Sequence, residues 1–229
     1  MNQAGNLFRF FAEGSKKDLQ SGGSILVLAA WVISVLFHPL LMPTYMNALI
    51  FKYCSDLVPL TREAKVQMLL FIFVSTYLVP ALAAGLMWVS GMISSITLEN
   101  RSERLIPLLL TAIIYTGVSY IFLQYLESAR LPGLFLGTIA LSVGFTALLT
   151  QFIKISSHMM GMGGLLGFIL GVVQETHNLS LQIPLIFFVL VAGAVASSRL
   201  LLRAHTGTEL IAGFFPGMVI SWMSVHFFV

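Results

Sequence analysis

The chain has 229 residues, of which 58% are hydrophobic and 9% charged, and its mean hydropathy is +0.94. This composition is typical of polytopic membrane proteins. The net charge of +3 comes from basic residues scattered over short connecting segments, which argues against a nucleic-acid partner. The single cysteine excludes an internal disulfide and a multi-cysteine metal site.

Apolar runs long enough to cross about 30 Å of hydrocarbon occur seven times along the chain. We predict an all-α bundle of six or seven transmembrane helices, since the fifth run is short and rich in glycine. No room remains for a separate soluble domain, so residues 25–229 are expected to form one transmembrane domain. The runs are Ile25–Phe51, Val66–Gly91, Leu105–Leu126, Leu131–Ile153, His158–Val173, Ile183–Leu202 and Leu210–Phe228.

Residues 1–24 precede the first apolar run, which is too long for a cleavable signal peptide. Phe8 and Phe10 flank Arg9 in this segment, a pattern that predicts either an interfacial segment or a flexible tail. Within the first run, the sequence His38-Pro39 predicts a kink in the helix.

Three connecting segments are richer in polar residues than the others: residues 99–104, 154–158 and 198–209. If seven spans are present, two spans separate the first segment from the second, and two more separate the second from the third. An even number of crossings returns the chain to the same side. We therefore predict that these three polar loops lie on one face of the bundle. The chain is expected to be an integral multi-pass protein of a bacterial inner membrane.

The side on which that face lies is left open by the charges. Eight basic residues fall on the face of the polar loops and four on the other, which favours the cytoplasm for the loops. Five of the eight belong to the loops themselves, where chemistry rather than topology can explain them. Without these five the count is three against four, and neither side is favoured.

The third polar loop gathers two arginines, a histidine and a glutamate into twelve residues. His205 and Glu209 are spaced i,i+4 and share one helix face, so the carboxylate can fix the tautomer of the ring and raise the basicity of its other nitrogen. Arg199 offers a planar fork for phosphoryl oxygens. The alternative is that Arg199, Arg203 and Glu209 pair with one another and with lipid headgroups.

In the second polar loop, Ser156 and Ser157 precede His158, and glycines follow. A helix that begins here would offer free N–H groups and serine hydroxyls to an anion, with Lys154 nearby and His158 as a general acid. An ordinary helix N-cap explains the serines equally well. The glycines at 164, 167 and 171 are spaced as a helix-packing face.

The first polar loop is more ambiguous. Arg101 and Arg104 can clamp a phosphate, but Glu99 and Glu103 are interspersed with them, so a solvated charged loop explains the pattern nearly as well. His38 is interpreted mainly as part of the kink, with a substrate path as the less favoured alternative.

The three loops together resemble the type 2 phosphatidic acid phosphatase superfamily over roughly residues 98–229. The third family motif, S-R-x5-H-x3-D, is matched by Ser198-Arg199, His205 and then Glu209 in place of aspartate. The second motif, P-S-G-H, is matched by Ser156 and His158.

The first family motif, K-x6-R-P, is aligned on Pro107, and Arg101 and Arg104 are the nearby substitutes for its basic residues. By this resemblance the fold would be the helical core of that superfamily. The chain would be a lipid phosphatase that needs neither a metal ion nor a cofactor, and its substrate would be phosphatidate, phosphatidylglycerophosphate or a prenyl diphosphate.

The resemblance also implies a role for each residue of the site. His205 would be the nucleophile that forms a phosphohistidine, Glu209 would orient it, and His158 would protonate the leaving group. The phosphoryl group would be bound by Arg199 and Ser156, helped by Arg101, Arg104, Lys154 and Ser157. Three alternatives stay open: a lipid phosphotransferase, a non-catalytic family member that binds anionic lipid, and a transporter.

Overall fold

In a computed structural model, nine α-helices and no strand form the described part of the chain, residues 24–98 and 100–229. This confirms the predicted all-α transmembrane bundle. The helices are α1 (Ser24–Leu36), α2 (Met42–Tyr53), α3 (Arg62–Phe73), α4 (Val79–Val89), α5 (Leu105–Tyr125), α6 (Arg130–Leu149), α7 (Ser157–Thr176), α8 (Gln182–Leu201) and α9 (Gly207–Phe228).

Seven helical segments of the described residues are long and apolar enough to cross a membrane. The first combines α1 with α2, the second combines α3 with α4, and the remaining five contain α5 to α9. The glycine-rich fifth run is α7, a full 20 residues, so seven spans replace the predicted six or seven. The predicted N-terminal segment, residues 1–24, lies outside the described residues except for Ser24, and so does Glu99.

The predicted kink at His38-Pro39 is a complete break between α1 and α2. His38 has an extended backbone (φ −62°, ψ 139°), as expected before proline, and Pro39 lacks the N–H that would continue the helix. Pro39 and Met42 then lie against Gly161, while the carbonyl of Tyr53 accepts a hydrogen bond from Asn178. The segment from Pro39 to Tyr53 therefore runs alongside α7, and His38 lies level with the first turns of α7.

Helices α7 and α9 pack backbone against backbone. A Cβ at Gly163 or Gly167 would collide with a backbone carbonyl of α9, and a Cβ at Gly171 would lie 2.7 Å from the side chain of Val225. The predicted glycine packing face is therefore present. Small residues allow backbones to approach in this way in membranes, where no hydrophobic force drives helices together.

Residues further along α7 contact residues further along α9: Gly163 lies against Phe214, and Gly171 lies against Val225. The two helices are therefore parallel. The first turns of both helices consequently lie side by side, and the amide of Ser156 donates to the carbonyl of Glu209 at 3.2 Å. Gly213 extends this approach from the α9 side, since its Cβ position lies 2.5 Å from the carbonyl of Ser156. Close packing of glycines thus joins two of the predicted polar loops.

Gly167→Ala should destabilise the protein, because the added methyl group would collide with the carbonyl of Met218 and force the helices apart. Overpacking of this kind costs about 1–3 kcal/mol. Gly144→Ala is the matched control, since nothing lies within 4 Å of its Cβ position and alanine favours a helix. Thermal unfolding in detergent should show a lower Tm only for Gly167→Ala, and equal Tm values would contradict the assigned packing.

Candidate active site at three helix ends

Side-chain hydrogen bonds connect all three polar loops on one face of the bundle. The guanidinium of Arg101 donates to the carbonyl of Phe152 at 2.7 Å, and that of Arg104 donates to the carbonyl of Ile155 at 3.4 Å. Lys154 Nζ donates to the carbonyl of Ala204 at 2.8 Å. The three loops are therefore neighbours, as the even number of intervening spans predicts.

His205 and Glu209 form a direct pair in this cluster. The predicted shared helix face is wrong, because α9 begins at Gly207 and His205 lies before it in the connecting loop. The Nδ1 atom of His205 lies 2.8 Å from Oε2 of Glu209, and the imidazole side chain is only 6% exposed. Because a carboxylate can only accept, the proton of the neutral ring is on Nδ1. The lone pair on Nε2 is then free, as a nucleophilic histidine requires.

Glu209 also begins helix α9. The side chain of Thr206 accepts a hydrogen bond from the amide of Glu209 at 3.4 Å, and Oε2 of Glu209 accepts one from the amide of Thr206 at 3.3 Å. This is a capping box, for which Thr-x-x-Glu is the sequence signature. This signature is present in the sequence at Thr206 and Glu209, and it could have predicted where α9 begins. One carboxylate therefore starts the helix and orients the histidine.

Burial lowers the pKa of His205 to about 4. The hydrogen bond to Glu209 opposes this effect, and the positive charges of Arg199 and Lys154 reinforce it. The imidazole is therefore neutral at pH 7.

Arg199 lies in the last turn of α8, and its Nε atom is buried without a hydrogen-bond partner among the described residues. Its positive charge is within electrostatic range of the imidazole rings of His38, His158 and His205. A buried donor without a partner costs about 1–3 kcal/mol, which an anionic ligand would recover.

The alternative pairing of Arg199 or Arg203 with Glu209 is absent from the described part of the chain. Arg203 is instead exposed, and its φ of 50° places it in the left-handed region. The other close acid–base contact of the described residues joins His226 to Glu175 at 2.7 Å, between the C-terminal ends of α9 and α7.

Ser156 is buried and caps helix α7, accepting from the amide of Met159 at 3.5 Å. This confirms the N-cap interpretation. The hydroxyl can still donate its own proton, so the predicted contact of Ser156 with phosphate stays a prediction. Ser157 is the first residue of α7 and is partly buried, so its predicted contact with phosphate stays a prediction.

The ring of His158 is held from the first span. Its Nε2 atom lies 3.0 Å from the carbonyl oxygen of Ser34, and its ring meets that of His38 edge-on, with 5.6 Å between the centroids. No sequence motif marks Ser34, and the sequence around His38 favours a kink over a substrate path. Both residues come from α1 and its break, outside the three polar loops.

The two arginines of the first polar loop differ in position. Arg104 is half-buried, donates from Nε to the carbonyl of Leu98 at 2.7 Å, and interacts electrostatically with Glu209 and Arg199. Arg101 is exposed and connects its loop to Phe152. Arg104 is therefore part of the cluster, whereas Arg101 stabilises the arrangement of the loops from outside.

Glu103 does not neutralise these arginines. Its carboxylate accepts hydrogen bonds from the amide and the hydroxyl of Ser94 at 2.7 and 2.9 Å, and one from Asn100 at 3.0 Å. It therefore fixes the shape of the loop that precedes α5.

The electrostatic character of this face follows from the helix ends. The N-termini of α5, α7 and α9 meet here beside the C-terminal turn of α8, and each N-terminus carries a partial positive charge. Three cationic side chains add to it: Arg104, Lys154 and Arg199. Such an arrangement suits an anion, and phosphate above all. The described residues contain no group of three or more His, Cys, Asp or Glu side chains placed to hold a metal ion.

Comparison with protein-family models, curated proteins and solved structures finds no match to this chain. The resemblance to the phosphatase superfamily therefore depends on the residues of the three loops.

Acidification should destabilise the protein through His205. The ring titrates near 6.5 in the unfolded chain and near 4 in the folded protein, so the unfolded state binds more protons between these pH values. This contribution to instability is absent above pH 6.5 and grows as the pH falls to about 4. Tm measured across this range should fall more for the wild type than for His205→Asn. Parallel curves would show that His205 is not buried in its neutral form.

Proposed function

We propose that this chain is a membrane-embedded phosphatase that hydrolyses the phosphate monoester or diphosphate of a lipid. The observation that carries the proposal is the His205–Glu209 pair, with Nε2 of the ring free, beside an Arg199 guanidinium whose buried Nε lacks a partner. Phosphoryl transfer depends mainly on positioning and on charge stabilisation, and this cluster can supply both without a metal ion.

In the proposed reaction, Nε2 of His205 attacks phosphorus as the bond from phosphorus to the lipid oxygen breaks. His158 gives a proton to that oxygen, and the lipid alcohol leaves. Water then attacks the phosphohistidine, its proton returns to His158, and the bond from nitrogen to phosphorus breaks to release phosphate. Arg199, Arg104 and the N-termini of α7 and α9 stabilise the charge on the non-bridging oxygens.

An apolar groove next to the cluster supports a lipid as the substrate. The groove has a volume of about 510 Å³ and lies between α7, α8 and α9. Its lining begins at Met159 and Gly207, beside the catalytic histidines, and extends to Phe215, about 12 Å further along α9. On the α8 side, Gly193 and Ala196 leave space for the groove because their side chains are small. A hydrocarbon tail would fill it while the headgroup phosphate meets His205.

Binding without turnover is the second candidate, because the first polar loop departs from the family motif. Glu99 and Ile106 occupy its lysine and arginine positions, and Arg101 is exposed. Trapping a phosphohistidine with radiolabelled lipid phosphate separates the two candidates. A protein that retains the lipid but never carries label would be a binding protein. Product analysis in the presence of an alcohol acceptor identifies a phosphotransferase.

His205→Asn should abolish phosphate release from long-chain phosphatidate, by more than about 10³-fold, as expected for loss of a nucleophile. Arg203→Asn is the matched control, because Arg203 is an exposed cation of the same loop and asparagine tolerates its positive φ. Glu209→Gln sharpens the test, since glutamine preserves the capping box but not the carboxylate. We expect it to lower kcat by about 10²–10⁴ with little change in Tm. Undiminished release by His205→Asn would refute the mechanism.

Gly193→Leu should raise KM for long-chain lipid phosphates and leave a short-chain, water-soluble phosphate ester unaffected, because the new side chain fills the groove but does not reach the catalytic cluster. Gly117→Leu is the matched control, since both glycines have nothing within 4 Å of the Cβ position and Gly117 lies on α5, away from the groove. Steady-state kinetics in mixed micelles measures both. Equal effects on short and long chains would remove the groove from the substrate path.

A further inference from the structure

The break in the first span releases the backbone carbonyl of Ser34 from the hydrogen bonds of α1. In a continuous helix, the carbonyl of Ser34 would accept from the amide of His38, four residues later. Here that amide donates to Val35 at 3.3 Å instead, and Pro39 has no N–H to offer. The Ser34 carbonyl is thus available to a side chain, and the imidazole of His158 takes it at 3.0 Å.

This contact settles which nitrogen of His158 carries the proton in the neutral ring. A carbonyl oxygen can only accept, so Nε2 is the donor and Nδ1 has the lone pair. When the ring is protonated, Nε2 keeps its contact and Nδ1 gains the proton that can be transferred. The edge of the His38 ring restricts rotation of the imidazole from one side. His38 itself is fixed, because its Nδ1 accepts from the amide of Leu40 at 3.3 Å.

His158 caps no helix, lies in the first turn of α7, and is within electrostatic range of Arg199 and His205. A nucleophile and a proton donor on opposite sides of one phosphoryl group require this kind of neighbourhood.

We propose that the break at His38-Pro39 positions His158 for proton transfer, with the Ser34 carbonyl as the partner that orients the ring. The inference rests on the proposed phosphatase function. As the phosphorus–oxygen bond to the lipid breaks, the Nδ1 proton passes to the leaving oxygen, and the neutral ring keeps its Nε2 proton on Ser34. When water later attacks the phosphohistidine, its proton restores Nδ1–H. Pro39 is a positioning residue, and His158 is the group that touches the leaving oxygen.

Pro39→Ala tests the proposal, because it restores the missing N–H and allows α1 to continue, so that the amide of His38 reclaims the Ser34 carbonyl. The readout is turnover of two esters: a lipid alkyl phosphate, whose alkoxide needs a proton to leave, and 4-nitrophenyl phosphate, whose phenolate does not. We expect kcat for the alkyl ester to fall by about 10²–10⁴ and that for the aryl ester to change little. Pro43→Ala is the matched control, since Pro43 lies in the first turn of α2, where its missing N–H breaks no helical hydrogen bond.

A double-mutant cycle separates positioning from general damage to the fold. His158→Ala should show the same selective loss, and Pro39→Ala combined with His158→Ala should be no slower than His158→Ala alone. Equal loss on both esters, or additive losses in the double variant, would overturn the proposal while leaving the phosphatase function intact. A wild-type protein that turns over neither ester would refute the proposed function, and this inference with it.

Discussion

The backbone contact between α7 and α9 is the interaction on which the rest of the cluster depends. Glycines on both helices let the chains approach until carbonyl oxygens of one helix lie where side chains of the other would otherwise be. Because the helices are parallel, this contact brings two positive helix ends together, which electrostatics alone would oppose. Van der Waals packing along about four turns of α7 and α9 therefore offsets the electrostatic repulsion between their N-termini.

The cationic side chains at this end of the bundle differ in their hydrogen-bond partners. Lys154 and Arg104 each donate to backbone carbonyls, which hold the side chains in place but leave their charge uncompensated. Glu209 is a nearby anion, but its Oε2 atom already accepts two hydrogen bonds. One comes from the imidazole of His205 and the other from the amide of Thr206. Arg199 keeps a buried donor without a partner. The positive charge of these side chains is thus only partly compensated within the protein. A bound anion would compensate the rest, which supports the proposed phosphate ester as the ligand.

The sequence predicts the features that depend on local spacing or on hydropathy. The spans follow from apolar runs, because a backbone in lipid must satisfy its own hydrogen bonds and does so as a helix. The helix break follows from the chemistry of Pro39. The contact of His205 with Glu209 forms, but not on a shared helix face, because α9 begins at Gly207 and His205 precedes its N-cap. His158 and Ser34 are 124 residues apart in the sequence, and their contact depends on how the first span packs against α7. No local sequence pattern predicts such a contact.

The different positions of Arg101 and Arg104 illustrate the same limit. Both arginines belong to one six-residue polar loop, and their neighbours are equally charged. The short 3-10 turn at Arg101–Glu103 directs one guanidinium towards Phe152 and the other towards the helix ends. Hydrogen bonds from Ser94 to the carboxylate of Glu103 hold this loop in place, and the sequence alone did not predict them.

The dual use of Glu209 connects reactivity to the fraying of one helical turn. The first turn of a helix opens far more readily than the whole protein unfolds. When the first turn of α9 opens, the capping box and the hydrogen bond that fixes the tautomer of His205 are lost together. On the proposed mechanism, the fraction of molecules in which His205 can act as the nucleophile is set by this local opening, so thermal inactivation should begin below the temperature at which the bundle melts.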